Sequence, residues 1–317
     1  MKSPPNSPAS LSEMNSTGRV ANKFPTSVCR GGGVRGGSGR LWDDMSVDLL
    51  VAIFSRVGVE DLIACVPYVC SAWRNAAREP LCWQSLDFRN WNVISYRVGC
   101  QRDAAVDFAD LLDFAISRGN KFIVSIYLPQ FANQIDLNYV ANWCPELRYF
   151  SIPNPNISED EFCKAIGKFE FLVGMAVDES LICHRVLQHV NQCCSNFTEL
   201  KVFTDTMDAA MAAVICESLP SLQKLEITDC LISRDAVLIL LDGLKQLSHL
   251  DISGYEISGI TSEVIEKASK LKVFRWDSKY ELGEFRYCSY CEDELLDHTP
   301  CECVLDQQFM EWLANIS

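Results

Sequence analysis

Residues 222–252 read LQKLEITDCLISRDAVLILLDGLKQLSHLDI. Leu222, Leu225 and Ile227 open the stretch, and Leu247, Leu250 and Ile252 close it with the same spacing. Side chains alternate between the two faces of a strand, so a strand with this pattern buries Leu225 and Ile227 and turns Lys224 and Glu226 outward. Between the triples, SRDAVLILLDGLKQ has the length and apolar content of a helix that needs burial against the same core. One unit is therefore strand, turn and helix. Such a unit cannot cover its apolar face alone, so neighbouring units must stack.

The triple recurs at Trp83/Leu86/Phe88, Ile123/Ile126/Leu128, Leu147/Phe150/Ile152, Leu172/Met175/Val177 and Leu271/Phe274/Trp276. Leu200/Phe203 reads as a weaker copy, in which Asp205 replaces the third apolar residue. Starting positions 83, 123, 147, 172, 200, 222, 247 and 271 are separated by 40, 24, 25, 28, 22, 25 and 24 residues. After the first interval this is the period of a leucine-rich repeat, about 20–29 residues. The expected fold class is α/β, with short parallel strands alternating with helices in a solenoid over residues 87–276. Its strands line one concave face. Tyr149, Ser151, Lys224, Glu226, His249, Asp251 and Arg275 fall at outward positions of that face. All but Ser151 form the expected set of target-contacting residues.

Residues 41–86 have a different period. Leu49, Leu50, Ile53, Phe54 and Val57 make a broad apolar helix face, with Ser46 as N-cap, Asp48 in the first turn and Gly58 at the C-terminal position. A shorter helix is expected from Val59 to Val66, interrupted by Pro67. A third carries Val69, Cys70, Trp73, Ala76 and Ala77 on one face until Pro80. Three short helices enclose too little interior to hide this much apolar surface. Some of it must meet either the following domain or a separate protein.

The blocks Met45-Ser46-Val47-Asp48-Leu49-Leu50, Ile53-Phe54-Ser55, Asp61-Leu62, Val69-Cys70-x-x-Trp73-Arg74 and Pro80-Leu81-x-Trp83 resemble the F-box in order and spacing. Met45-Ser46 stands where the family usually has Leu-Pro, and Pro67 where many members have another residue. Downstream, Cys144-Pro145-Glu146-Leu147 and Leu225-Glu226-Ile227-x-x-Cys230 resemble the cysteine-containing leucine-rich repeats found behind F-boxes, most closely those of plants. The resemblance implies a substrate receptor of a cullin-RING (SCF-type) ubiquitin ligase. In that role the F-box binds a Skp-type adaptor and through it the cullin, while the repeats hold a target protein. Carried over from matching family positions, adaptor contact falls to Leu49, Ile53, Leu62, Cys70 and Trp73. The receptor performs no chemistry itself and needs no cofactor; it brings a target close to an enzyme carried by other subunits.

The 317 residues include 42 acidic against 28 basic, a net charge of −14, which disfavours nucleic acid and anionic membrane as partners. No apolar run approaches the roughly eighteen residues of a membrane span, and no secretory signal opens the chain. Cytoplasm or nucleus is the expected location. Residues 1–40 are rich in Ser, Pro and Gly and are expected to be a disordered tail; residues 41–86 form the F-box, and 277–317 an acidic, cysteine-containing cap. The 16 cysteines are spread along apolar segments, as free thiols that pack like small hydrophobes. Cys288, Cys291, His298, Cys301 and Cys303 have donors for a tetrahedral zinc site but lack a second Cys-x-x-Cys knuckle, so no metal is expected. Of the four histidines, His184 adjoins Cys183, but neighbouring helix residues point apart, so no Cys-His nucleophile is expected. The glycines of RGGGVRGGSGR lack the Lys-Ser/Thr of a phosphate loop. The alternatives to a ligase receptor are a non-ligase interaction scaffold, or a zinc-binding or redox-sensing protein using the C-terminal cysteines.

Overall fold

The computed structural model describes residues 45–102, 105–253 and 260–276, all within one compact unit, Asp43–Ser317. The expected tail (1–40) and cap (277–317), with Cys288, Cys291, His298, Cys301 and Cys303, lie outside the described residues.

Helix α1 (Val47–Phe54) begins where the sequence places it, with Ser46 Oγ accepting from the Leu49 amide at 3.4 Å. It ends at Ser55, before Gly58. Gly58 has φ −63° and opens α2 (Val59–Ala64) instead of closing α1. Pro67 lies in the first turn of α3 (Val66–Val69), where a missing N–H leaves no helical bond unmade. The expected third helix is therefore two pieces: Cys70 is extended (φ −156°, ψ 176°) between α3 and α4 (Ser71–Ala76). A 3₁₀ turn, Pro80–Trp83, leads out, and Trp83 Nε1 donates to the Ala77 carbonyl at 2.9 Å.

The repeats follow as β1 (Ser85–Asp87), α5 (Trp91–Arg102), α6 (Phe108–Gly119), β2 (Ser125–Tyr127), α7 (Gln134–Trp143), β3 (Tyr149–Ile152), α8 (Glu159–Ile166) and β4 (Gly174–Asp178). Then come α9 (His184–Cys193), β5 (Glu199–Phe203), β6 (Thr206–Met207), α10 (Ala209–Ser218), β7 (Lys224–Glu226), β8 (Leu231–Ile232), α11 (Arg234–Gly243), β9 (His249–Asp251), α12 (Ser262–Ala268) and β10 (Val273–Arg275). Eight strands make one parallel sheet in the order β1-β2-β3-β4-β5-β7-β9-β10, and β6 pairs with β8 separately. Leu86, Ile126, Phe150, Met175, Leu200, Leu225, Leu250 and Phe274 stand side by side across the sheet. The middle anchor of every triple thus meets its counterpart, as a stacked repeat requires.

Two details depart from the periodic reading. Met175 pairs with Leu200 and Val177 with Val202, so the fifth triple is Phe197/Leu200/Val202, not Leu200/Phe203/Asp205. Phe197 is 6% exposed, and starting from it the units run 147, 172, 197, 222, 247. The first interval is long because it holds two helices. Ile94 and Val98 of α5 are buried, α5 packs against α2, and Arg97 bridges to Asp61 at 2.5 Å. The extra helix joins helices α1–α4 to the repeats in one continuous core. At the other end the pattern frays: Leu271 and Phe274 are half-buried and Trp276 is 39% exposed.

Candidate protein-docking surfaces

Helix α1 has two apolar sides. Leu50 and Phe54, one turn apart, are buried, and Trp73 packs edge-on against the Phe54 ring with centroids 5.1 Å apart. Leu49 and Ile53, also one turn apart, are 51% and 39% exposed. Tyr68 and Val69, on the turn before Cys70, are more exposed still. Of the five residues expected to meet an adaptor, Leu49 and Ile53 lie on the surface and Cys70 and Trp73 are half-buried. Leu62, 1% exposed, sits in the chain's own core. The expectation for Leu62 rests on the resemblance alone, and neither resemblance nor periodicity distinguishes a face turned inward from one left for a partner.

The open face of the sheet consists of two columns of residues flanking the buried anchors. Tyr149, Lys224 and His249 stand in the first column, and Glu226, Asp251 and Arg275 in the second, so all six expected target-contacting residues share one face. Ser151 also belongs to the second column but is only 2% exposed, which corrects the expectation that it faces solvent. Lys224 lies 2.7 Å from Glu226 and 3.8 Å from Glu199, and Lys201 lies 3.6 Å from Glu226. Arg275 approaches Asp251 at 3.4 Å. At the β1 end Arg89 grips Asp87 at 2.6 Å and stacks over the Tyr127 ring, 4.7 Å from its centroid. Tyr127 and Tyr149 are in ring contact at 5.4 Å.

These contacts set the protonation of the face. Burial opposes ionisation of Asp87, but the hydrogen bonds and charge of Arg89 outweigh it and hold the carboxyl below its ordinary range. The hydrogen bond that Lys224 donates to Glu226 holds its ammonium above its usual value. Burial, followed by Tyr127, Glu226 and Glu199, pushes the Tyr149 phenol up, so its hydroxyl stays a hydrogen-bond donor at neutral pH.

Sequence reasoning missed Arg89, Tyr127, Glu199 and Lys201. The last two were hidden by the three-residue slip in the fifth unit, which misassigned the outward positions of β5. The helix N-caps carried the correcting signal: Asn133, Ser158, Asp208 and Ser233 each accept a first-turn amide, and with Cys183 they recur every 25 residues. Cys183 holds the cap position without a side-chain cap bond.

The buried cysteines behave as packing groups. Burial pushes Cys144 and Cys194 up to about 12, and Cys82, Cys216 and Cys230 up to about 11. His184 turns its Nδ1 to Ser218 Oγ at 3.2 Å and its Nε2 to Glu217 at 3.6 Å. Among the described residues no group of three or more His, Cys, Asp or Glu is placed to hold a metal, and no helix is long and apolar enough to cross a membrane.

Residues 47–89 match the F-box-like family model. An F-box/LRR-repeat protein of Arabidopsis thaliana is 27% identical over 258 residues, covering 74% of this chain and 83% of its own length. The Arabidopsis thaliana F-box protein FBW2 is 24% identical, with 68% of each chain covered. F-box protein SKIP19 of the same plant is 26% identical, covering 68% of this chain and 70% of its own.

Proposed function

We propose that this chain, an F-box/leucine-rich-repeat protein of the plant type, is the substrate-recognition subunit of an SCF-type E3 ubiquitin ligase. The F-box binds a Skp-type adaptor, and through it a cullin, while the open sheet face holds a target protein. The observation that carries this reading is the two-sided α1: Leu50 and Phe54 complete the core, yet Leu49 and Ile53 remain exposed one turn apart beside it. An apolar strip on a helix whose core side is already filled is the surface expected of a helix that meets a partner. Trp73 packs against Phe54 on the core side of α1, and Leu62 is buried in α2.

In this role the chain carries out no bond-making. It holds the target's lysines near a ubiquitin-charged enzyme supplied by other subunits, raising their effective concentration. Replacing Ile53 by Glu places a charge in the middle of the adaptor contact, where it has no partner. Co-expression with a Skp-type adaptor should then give no co-purification, while the circular dichroism melt of the variant matches that of the parent. Undiminished adaptor binding by a folded Ile53→Glu protein would overturn the assignment.

A further inference from the structure

The open sheet face offers no unmatched charge. Its cations Arg89, Lys201, Lys224 and Arg275 are matched by Asp87, Glu199, Glu226 and Asp251, every pair within 4 Å. The chain's net charge of −14 therefore resides elsewhere. A charged target side chain meets no complementary field here, so charge does not select the target. What remains to recognise a target is the aromatic end.

That end is shaped by one missing side chain. A Cβ on Gly174 would lie 2.9 Å from Tyr149 Cδ2 and 2.8 Å from Glu199 Cβ, too close for either. Glu199 Cβ is fixed by its strand and cannot yield. Only glycine at 174 leaves room for the Tyr149 ring where it lies, against Tyr127, whose own ring is covered by Arg89. Ser151 and Ala176, the small residues that follow Tyr127 across the sheet, are each 2% exposed, so the rings and not the floor are what a partner meets.

We infer that the target is recognised through an uncharged, extended segment laid across the Tyr127–Tyr149 shelf, with Gly174 as the residue that sets the shelf's shape. The inference rests on the assignment of the open sheet face to target binding. Crossing from β2 to β4 spans two strand spacings, about 10 Å, which an extended chain covers in about three residues. The contact is thus a short apolar core packed on the two rings, with the Tyr149 hydroxyl as a donor to the segment's backbone carbonyl.

The full chain co-purified with a Skp-type adaptor is the bait for a phage library of random dodecapeptides. Enriched peptides should share an uncharged apolar core, and their affinity should change by less than about twofold between about 50 and 500 mM salt. Tyr149→Ala should weaken binding by about tenfold or more in a protein that still melts cooperatively; Gly174→Ala should do the same and also lower the melting temperature, because its Cβ meets Glu199; and Lys201→Ala should change binding by less than about threefold. Enrichment of acidic or basic peptides that respond to Lys224→Ala or Arg275→Ala would overturn the shelf but keep the face as the target surface. Enriched peptides indifferent to all these substitutions would overturn the face itself. Failure to enrich any peptide would overturn the extended segment as the occupant.

Discussion

At the scale of single residues, burial decides the chemistry of the thiols and pairing decides that of the carboxylates. Cys144 and Cys194 are buried and held near 12, whereas Cys100 and Cys193 are exposed. Iodoacetamide at about pH 8 should alkylate Cys100 and Cys193 in the native protein and spare Cys144 and Cys194 until denaturant is added. Peptide mass spectrometry reads the difference directly. Asp87 shows the opposite shift. Its folded-state carboxyl loses its proton at lower pH than in the unfolded chain, so between those values the unfolded chain binds more protons. The stability it contributes is present above about pH 4 and lost as pH falls through its folded value. Asp87→Asn should therefore lower the melting temperature slightly at neutral pH and flatten its fall below about pH 4. Parallel acid limbs for the two proteins would count against the pairing with Arg89.

At the scale of elements, the fifth unit is the sharpest test. Phe197 anchors the turn into β5, and Phe203 ends the strand half-exposed. Phe197→Ala should cost about 3–5 kcal/mol, as for other buried phenylalanines, and Phe203→Ala within about 1 kcal/mol. Urea titrations of the two variants separate the registers, since equal losses would restore the alternative. Most of the solenoid was legible without coordinates, because a triple such as Leu147/Phe150/Ile152 names its buried residues by spacing alone. The slip at Leu200 arose because Phe203 offered a second apolar residue at the wanted distance. Only pairing with Met175 and Val177 removes that ambiguity.

At the scale of the whole molecule, helices α1–α4 and the repeats do not part cleanly. Ile94 and Val98 of α5 close the core over α2, and the apolar cluster runs unbroken from Leu50 to Ala268. A fragment of residues 41–89 lacks that cover and retains Trp83, Leu86 and Phe88 without their neighbours. It should show a shallow, non-cooperative melt by circular dichroism, whereas the same fragment extended to residue 122 should unfold in a single transition. A sharp melt of the shorter fragment would show that the helices stand alone. The Asp61–Arg97 bridge adds little by itself, because both side chains remain more than a third exposed.

The amino-acid sequence carries the period of the repeats, the buried side of most strands but not of β5, the N-terminal start of α1 and the family likeness of residues 41–86. These are local properties, set by spacing that a single strand or helix enforces on its own side chains. Tertiary structure alone decided that Leu62 turns inward while Leu49 and Ile53 do not, that Phe197 anchors β5, and that the charges of the open face neutralise one another. The first depends on how α2 packs against α5, and the other two on residues about 25 positions apart, such as Lys201 and Glu226, being brought side by side; no periodicity within one unit specifies what its neighbour will present.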